Sequence, residues 1–557
     1  MTDALERQLG EIARALGGEP GDVKLERPRN PDHGDVASNL ALVLAGRLGR
    51  APRAVAADVL ERLDRAAAGV AEAEVAGPGF LNFRLAPDVV QDRLRGILDA
   101  DAGYGRSASG AGARVQVEFV SANPTGPLHV AHGRGAAFGD AVASLLEWTG
   151  HDVQREFYVN DAGVQIDRLG ASVEARWRQL RDEAVELPEG GYRGEYVVDL
   201  ARDIDAEHGP ALDSMGDAKR AAFLAREARE RMLDGQRRDL ADFGVRFDSF
   251  FPESRVYQDG RIPATVADLA ERGLTFEEGG ATWLRTSEHG DDKDRVLVKS
   301  DGTFTYFLPD IAYHRDKVER GFDRLINVWG ADHHGYVPRM QAALSALGHP
   351  GMLDVEIVQM VRVVRDGEEV KLSKRAGDIV TLRDLVEQTG KDVARYFFLM
   401  RRPDAQMVFD LGLALDESEK NPVYKVKYAH ARMMSIFRKA GVEADAAGAG
   451  ADLARLTDPA EIELVQRLAE FPEAVERAAR ARAPHVVCEY LESSAGMVNS
   501  WYHAGNPSRR PELAVLVPDA ALREARLALA RGVRIVLRNG LALLGLEAPD
   551  RMEREDG

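Results

Sequence analysis

Apolar and polar positions alternate along this chain in three regimes, and each predicts a different kind of element. In the first regime Leu5, Leu9, Ile12 and Leu16 recur at helical spacing, as do Leu40, Leu44 and Leu48 after the polar stretch His33-Gly34-Asp35. Val70 to Leu85 reads as strand material broken by a turn at Gly77-Pro78-Gly79. Residues 1–100 are therefore expected to form a small α/β domain. The Gly-, Ser- and Ala-rich stretch 101–113 follows as a linker.

The second regime alternates strands with helices. Val115, Val117, Phe119 and Val120 supply β-branched and aromatic strand residues. Asn123-Pro124-Thr125-Gly126-Pro127 stops the strand, and Ala136, Phe138, Val142, Leu145 and Leu146 then give a helical stripe ending near Gly150. Val153 to Val159 is the next strand. Residues 170–244 turn helical and highly charged, which predicts an insertion with a solvated face. The sheet resumes with Leu325 to Trp329 and with the apolar run Val355 to Val364, which a turn at Asp366-Gly367 follows. This order predicts an α/β class with a parallel, doubly wound sheet over residues 114–415. The third regime, residues 416–557, reads as all helix: Tyr424, Tyr428, Ala431 and Met434 give one stripe, Ile462, Val465 and Leu468 a second, and Leu522 to Leu544 a third.

Composition narrows the class. At 557 residues, 45% hydrophobic and 29% charged, the chain is an ordinary globular protein with several domains. Its start lacks an apolar signal-peptide core, its apolar runs are too short or too interrupted to span a bilayer, and Cys488 is the only cysteine. A cytoplasmic location is expected. The net charge of −18 argues against a nucleic-acid partner unless a local basic face acts inside an acidic whole.

The candidate chemistry sits at strand ends. His129 and His132, three apart, share one face of a first helical turn, where backbone N–H groups favour a phosphate. A plain helix start is an equal competitor for the pair taken alone. A metal site lacks ligand spacing, and Gly133-x-Gly135 with Gly139 misses the dinucleotide fingerprint by one residue. Lys371-Leu372-Ser373-Lys374-Arg375 packs cations and a hydroxyl together, which suits a polyphosphate, although an isolated cluster is more often an exposed turn. The two together suit attack on the α-phosphate of ATP, catalysed by positioning and charge stabilisation.

HVAH followed by KLSKR resembles the HIGH and KMSKS signatures of class I aminoacyl-tRNA synthetases. EFVSANPTGPLH, YVNDAG, NVWGADHHGY, KLSKRAGDIVTL, NPVYKVKYAHAR and LLGLEAPDRM resemble arginyl-tRNA synthetases, and GDVASNLALVLA with VAGPGFLNF resembles that family's N-terminal domain. The likeness runs in order across nearly the whole chain. It implies a Rossmann-like catalytic domain, an N-terminal domain at the tRNA elbow and a helical anticodon-binding domain. It further implies an enzyme that joins L-arginine to tRNA(Arg), using ATP with Mg²⁺ and releasing AMP and diphosphate, with activation dependent on tRNA; a monomer is expected, without membrane partners.

Carried over residue by residue, the resemblance gives Glu118, Ser121, Asn123, Tyr306 and Asp310 to arginine, with Glu118 and Asp310 facing the guanidinium. His129 and His132 would contact ATP phosphates, and Lys371 and Lys374 would stabilise the transition state. Ala131, Asp332, His333 and Ser373 would border the ATP site, and Ala122, Asn123, Pro124, Thr125, Gly126, Pro127, Leu128, His129, Val130, Ala131 and His132 form the HIGH region. Ala131 replaces the HIGH glycine, so reduced or retuned ATP binding, rather than its loss, is expected. Lys420, Tyr424, Lys425, Lys427, Tyr428 and Arg432, part of a basic cluster with His430, Arg438 and Lys439, would meet tRNA; a solvated basic helix face is the plainer alternative. A non-catalytic paralogue, a synthetase for another amino acid and a small-molecule nucleotidylyltransferase are the rival functions.

Overall fold

A computed structural model describes residues 3–28, 30, 33–161, 163–370, 380–506 and 510–552. The basic cluster at Lys371, Ser373 and Lys374 lies outside the described residues. The chain builds an N-terminal α/β unit, a parallel-sheet unit with insertions, and a helical C-terminal array.

In the N-terminal unit, Leu25–Glu26, Val36–Ser38, Phe80–Leu85 and Val70–Ala76 form an antiparallel sheet in that spatial order. The apolar stripes foreseen on its helices, among them Leu5, Leu9, Leu40 and Leu44, bury against Leu81 and Phe83. This core closes at Leu85. The next helix, Pro87–Ala100, turns Val90, Leu94 and Ile97 into the core that also holds Leu468, Val533 and Leu537. Its packing therefore belongs with the C-terminal helices rather than with residues 1–85. The small-residue stretch 101–113 is anchored rather than loose. Asn539 donates to the carbonyls of Asp101 (2.8 Å) and Tyr104 (3.0 Å), and the Tyr104 ring stacks on Phe471.

The central sheet has five parallel strands in the spatial order Leu353–Val358, Arg324–Gly330, Arg114–Glu118, Asp152–Val159, Ser249–Pro252. Chain order reverses between Arg114–Glu118 and Arg324–Gly330, which creates the crevice where open α/β sheets take ligands. Register places Glu118 between Asn327 on one side and Glu156 on the other. The first strand stops at Glu118, earlier than its apolar pattern suggested. Val120 (φ 69°) and Ser121 (φ 41°) adopt left-handed backbone, which is costly for a β-branched residue and turns the chain out of the sheet.

Val130–Trp148 is the helix that follows, almost wholly buried. Its glycines serve packing: a Cβ on Gly139 would lie 2.3 Å from Cγ of Phe119, so the missing side chain lets the helix seat on the strand. The run Val355 to Val364 divides between two sheets. Leu353–Val358 joins the parallel sheet, whereas Val361–Arg365 pairs with Glu368–Glu369 and Met407–Asp410. The Asp366-Gly367 turn, with φ of 53° and 84°, makes the hairpin. A further antiparallel sheet, Thr275–Glu278, Ala281–Leu284 and Arg295–Val298, had no clear signal in the pattern.

The charged insertion comprises Val164–Gln179, Glu195–Ser214 and Asp217–Asp242, which share a small core around Leu169, Trp177, Ile204 and Leu224. The C-terminal helices Pro422–Ala440, Pro459–Ala469, Phe471–Ala481, His485–Ala504 and Ala520–Leu543 match the all-helical expectation. Their core is continuous with that of the sheet's helix layer: Val142, Phe398, Val426 and Leu537 belong to one cluster. Arg395 ties this junction, donating to Asp140 (2.6 Å) and to the carbonyls of Phe243 and Leu544.

Candidate active site

A cleft of about 760 Å³ opens at the carboxyl ends of the parallel strands, where the chain order reverses. Its lining includes Glu118, Ser121, Ala122, Asn123, His129, Ala131, His132, Asp310, Asp332 and His333, all named from the sequence. Residues from three separate chain segments thus converge in one place.

His129 caps the helix Val130–Trp148, and the pair forms a reciprocal capping arrangement. The backbone N–H of His132 donates to Nδ1 of His129, and that of His129 to Nδ1 of His132, both at 3.3 Å. The rings stack with centroids 3.6 Å apart. Burial holds both imidazoles below their ordinary pKa, His132 to about 3 with His129 beside it as a second cause, so both are neutral at pH 7. Since each Nδ1 accepts, the proton of each neutral ring sits on Nε2, leaving that nitrogen as a donor for an anionic oxygen. The first turn is less open than its position alone suggested, because the Val130 N–H already donates to Val380 O (3.1 Å). The histidine rings, more than the helix end, carry the donor capacity.

The carboxylates of the lining, Glu118 and Asp310, define an acidic end of the cleft. Glu118 accepts from Ser121 Oγ (2.9 Å) and from Lys317 Nζ (2.5 Å). The left-handed turn at Val120 and Ser121 brings the hydroxyl back to the strand end, where it also accepts from the Tyr158 N–H (3.1 Å). Asp310, in the first turn of the helix Phe307–Glu319, accepts from Tyr336 Oη (2.6 Å). Burial raises its pKa to about 7; Glu253 and Glu118 push the same way, while the Tyr336 hydrogen bond and Lys317 oppose them. Behind it, His314 bonds the Asp310 carbonyl through Nδ1 and Asn327 through Nε2, both at 2.8 Å. Asn123 accepts from Asn160 Nδ2 at 2.6 Å on the rim.

The insertion braces this site. Gln236 donates to the carbonyls of Asn123 and Gly126, both at 2.9 Å, and Tyr196 Oη to that of Thr125 at 2.9 Å. Three residues of the turn before the histidines are thus held by helices that the charge pattern marked only as solvated.

Tyr306 stands apart from the other expected site residues. It is 86% exposed at the start of the helix Phe307–Glu319 and does not line the cleft. Tyr336 and Tyr158 line the acidic end instead. Of the residues expected to meet tRNA, Lys420 is exposed, and Tyr424 and Lys425 are half-buried. Lys425 lines a second, shallow cleft with Asn499, Ser500 and His503. Lys427 pairs with Asp392, Tyr428 is buried with its hydroxyl on Glu417 O (3.1 Å), and Arg432 pairs with Glu419 (2.8 Å) and Asn499. His430, counted in the same basic cluster, is buried on Pro549 O. Helical periodicity explains this: positions 423, 426, 430 and 433 face the core, and their neighbours are drawn partly inward.

Lys317 was not singled out from the sequence. Its signal was the spacing Asp310…Lys317, two helical turns on one face. Tyr158 and Tyr336 lie in the motifs YVNDAG and NVWGADHHGY but were given no role there, and Gln236 had no comparable signal.

Known proteins are similar to this chain over nearly its whole length. The family model of the class I (R) tRNA synthetase catalytic domain matches residues 93–398, that of the arginyl tRNA synthetase N terminal domain residues 1–85, and that of the DALR anticodon binding domain residues 426–552. The arginine–tRNA ligase of Thiobacillus denitrificans is 49% identical over 541 residues, covering 96% of this chain and 95% of its own. That of Bacillus subtilis is 44% identical over 557 residues, 99% of each. The arginyl-tRNA synthetase structure from Thermus thermophilus superposes with a TM-score of 0.77 at 26% identity, covering 99% of this chain and 100% of its own. A methionyl-tRNA synthetase structure from Mycobacterium tuberculosis shares the fold at a TM-score of 0.51 and 14% identity over 77% of this chain. The chain belongs to the arginyl-tRNA synthetase family.

Proposed function

We propose that the cleft activates L-arginine with ATP and that the chain passes the arginyl group to the 3′ end of tRNA(Arg). The observation that carries this reading is the pairing of Glu118 and Asp310 in the lining of a cleft that also presents His129 and His132. A planar guanidinium has five N–H donors in a fixed fork, and two carboxylates meet it better than one. Ser121 and Asn123 would hold the α-amino and carboxylate end. The arginine carboxylate oxygen then attacks the α-phosphate of ATP; the bond to pyrophosphate breaks and arginyl-adenylate forms. The Nε2–H groups of His129 and His132 donate to phosphate oxygens as charge moves onto them, with Ala131, Asp332 and His333 around the nucleotide. Lys371, Ser373 and Lys374 complete the phosphate contacts in this reading. In the second step a ribose hydroxyl of the terminal adenosine attacks the arginyl carbonyl, and AMP leaves.

Mg²⁺ enters as the companion of ATP and is assigned no ligand on the chain; among the described residues no three His, Cys, Asp or Glu side chains cluster as a metal site. The tRNA contacts are assigned to the C-terminal face around Lys420, Tyr424 and Lys425, with the buried Tyr428 and the ion-paired, half-buried Lys427 and Arg432 supporting that helix. Residues 1–85 are assigned to the tRNA elbow. Among the described residues no helix is long and apolar enough to cross a membrane, and we place the activity in the cytoplasm, as a monomer.

ATP–pyrophosphate exchange over the twenty amino acids, with and without total tRNA, tests the reading. Exchange with arginine alone, dependent on tRNA, is the expected result. Exchange with a different amino acid would remove the pocket assignment, and none under any condition, from folded protein, would favour a non-catalytic paralogue.

A further inference from the structure

Lys317 is a lysine with no exposed surface, sealed behind the acidic end of the cleft. Its ammonium donates to Glu118 Oε2 (2.5 Å) and to Asn327 Oδ1 (3.1 Å) and lies over the Tyr313 ring, 4.5 Å from the centroid. Glu118 receives Ser121 Oγ on its other oxygen, Oε1. The carboxylate is therefore gripped at both oxygens, by the turn on one side and by the helix Phe307–Glu319 on the other. Each carboxylate oxygen accepts two hydrogen bonds, so one lone pair per oxygen is left over, and Glu118 lines the cleft.

We propose that Lys317 is a positioning residue for arginine recognition: its buried ammonium orients the Glu118 carboxylate and offsets its charge, so that Glu118 and Asp310 can both meet one guanidinium. The proposal rests on the arginine reading of the cleft and extends it to a residue that does not touch the substrate.

Charge is the second part of the argument. Asp310 is faced by Glu118 from the first strand, by Glu253 from the segment before Ser254–Gln258, by Lys317 from its own helix, and by Tyr336, which donates to it; its charge is felt by Tyr158 and Tyr257 as well. Three carboxylates thus converge, and Lys317 is the cation acting on Asp310 against them. Removing it leaves the carboxylates to repel one another, and the empty pocket relieves that repulsion by taking up a proton at Asp310. A protonated Asp310 has lost the charge that a guanidinium requires, so arginine must then compete with a proton. A lysine that merely filled the core would show no such competition.

The test uses the full chain with total tRNA in ATP–pyrophosphate exchange, from about pH 6 to about pH 9. In Lys317→Met the KM for arginine near neutrality should rise roughly tenfold while that for ATP stays within about twofold, and the acid limb of kcat/KM for arginine should move up by about one pH unit. Lys317→Arg keeps the charge and should leave the limb at the parent's position. If Lys317→Met does not fold, Lys317→Gln retains a donor for Glu118 without the charge and carries the same expectation. An acid limb that stays in place in a folded neutral variant overturns the proposal, as does a fall in kcat with both KM values unchanged. A parent that exchanges with some other amino acid overturns the arginine reading itself, which separates the two failures.

Discussion

Asp310→Asn should make the protein more stable and a much poorer enzyme, and both effects follow from one carboxyl group. Asp310 has its pKa raised from 3.8 to about 7, first by burial and then by Glu253 and Glu118. Between those two values the folded protein binds a proton here that the unfolded chain has released. Stability from this group therefore falls as pH rises from about 4 to about 7, and the full penalty is present above 7. Three pK units correspond to about 4 kcal/mol as an upper bound. The group borders an open cleft, and relaxation and solvent screening reduce the effect to about 2 kcal/mol. Asparagine is isosteric and still accepts from Tyr336, so the variant should approach the parent near pH 4 and exceed it at pH 8, with an unfolding midpoint there roughly 2 °C higher. For catalysis, losing a desolvated charge opposite a guanidinium costs about 3–4 kcal/mol, a factor of roughly 10²–10³ in kcat/KM for arginine. ATP–pyrophosphate exchange at varied arginine and varied ATP measures the second effect, and calorimetric scans at the two pH values measure the first. A KM for ATP that climbs in step with that for arginine would refute the placement of Asp310 at the amino-acid end. A variant less stable than the parent at pH 8 would refute the account of its charge.

Two substitutions probe the scaffold. Gln236→Leu removes both hydrogen bonds to the turn before the histidines and leaves the Asn123 and Gly126 carbonyls unpaired, at about 1–3 kcal/mol; kcat/KM for ATP and arginine should fall together by roughly tenfold in exchange assays, and a loss confined to one substrate would count against this bracing role. Gly139→Ala adds a methyl 2.3 Å from Phe119 Cγ and 2.6 Å from its Cβ; although alanine favours a helix interior by about 1 kcal/mol over glycine, overpacking at the base of a buried ring costs about 1–3 kcal/mol, so the unfolding midpoint should drop, and a rise would mean the helix has room to shift.

What the sequence disclosed, and what it withheld, divides along the range of the interactions involved. The strand over Val115 and Val117, the Pro/Gly turn and the helix opening at His129 were legible because periodicity and turn chemistry are local, although the strand's end at Glu118 was not. The stacked, reciprocal capping of His129 and His132 was not, because spacing gives a shared face but not which nitrogen accepts. The run from Val355 to Val364 shows the same limit: β-branched residues mark strands, yet nothing local says that Val358 and Val361 belong to different sheets. The helix Pro87–Ala100 carries an apolar stripe that reads equally well toward either neighbouring domain, and only its long-range partners, Leu468 and Leu537, decide.

The acidic end of the cleft makes the point most sharply. Glu118, Asp310 and Lys317 are dispersed over 200 positions of the chain, and the sheet's register brings Glu118 beside Asn327, which then meets the same ammonium as Glu118. Motif likeness named the two carboxylates as the groups expected to meet a guanidinium. It passed over the lysine because a buried cation one layer back leaves no mark on composition or spacing beyond its helical phase with Asp310. A carboxylate pair without that cation would be a proton trap as much as a guanidinium site, so the chemistry that identifies the cleft depends on a residue that only the folded chain exposes to view.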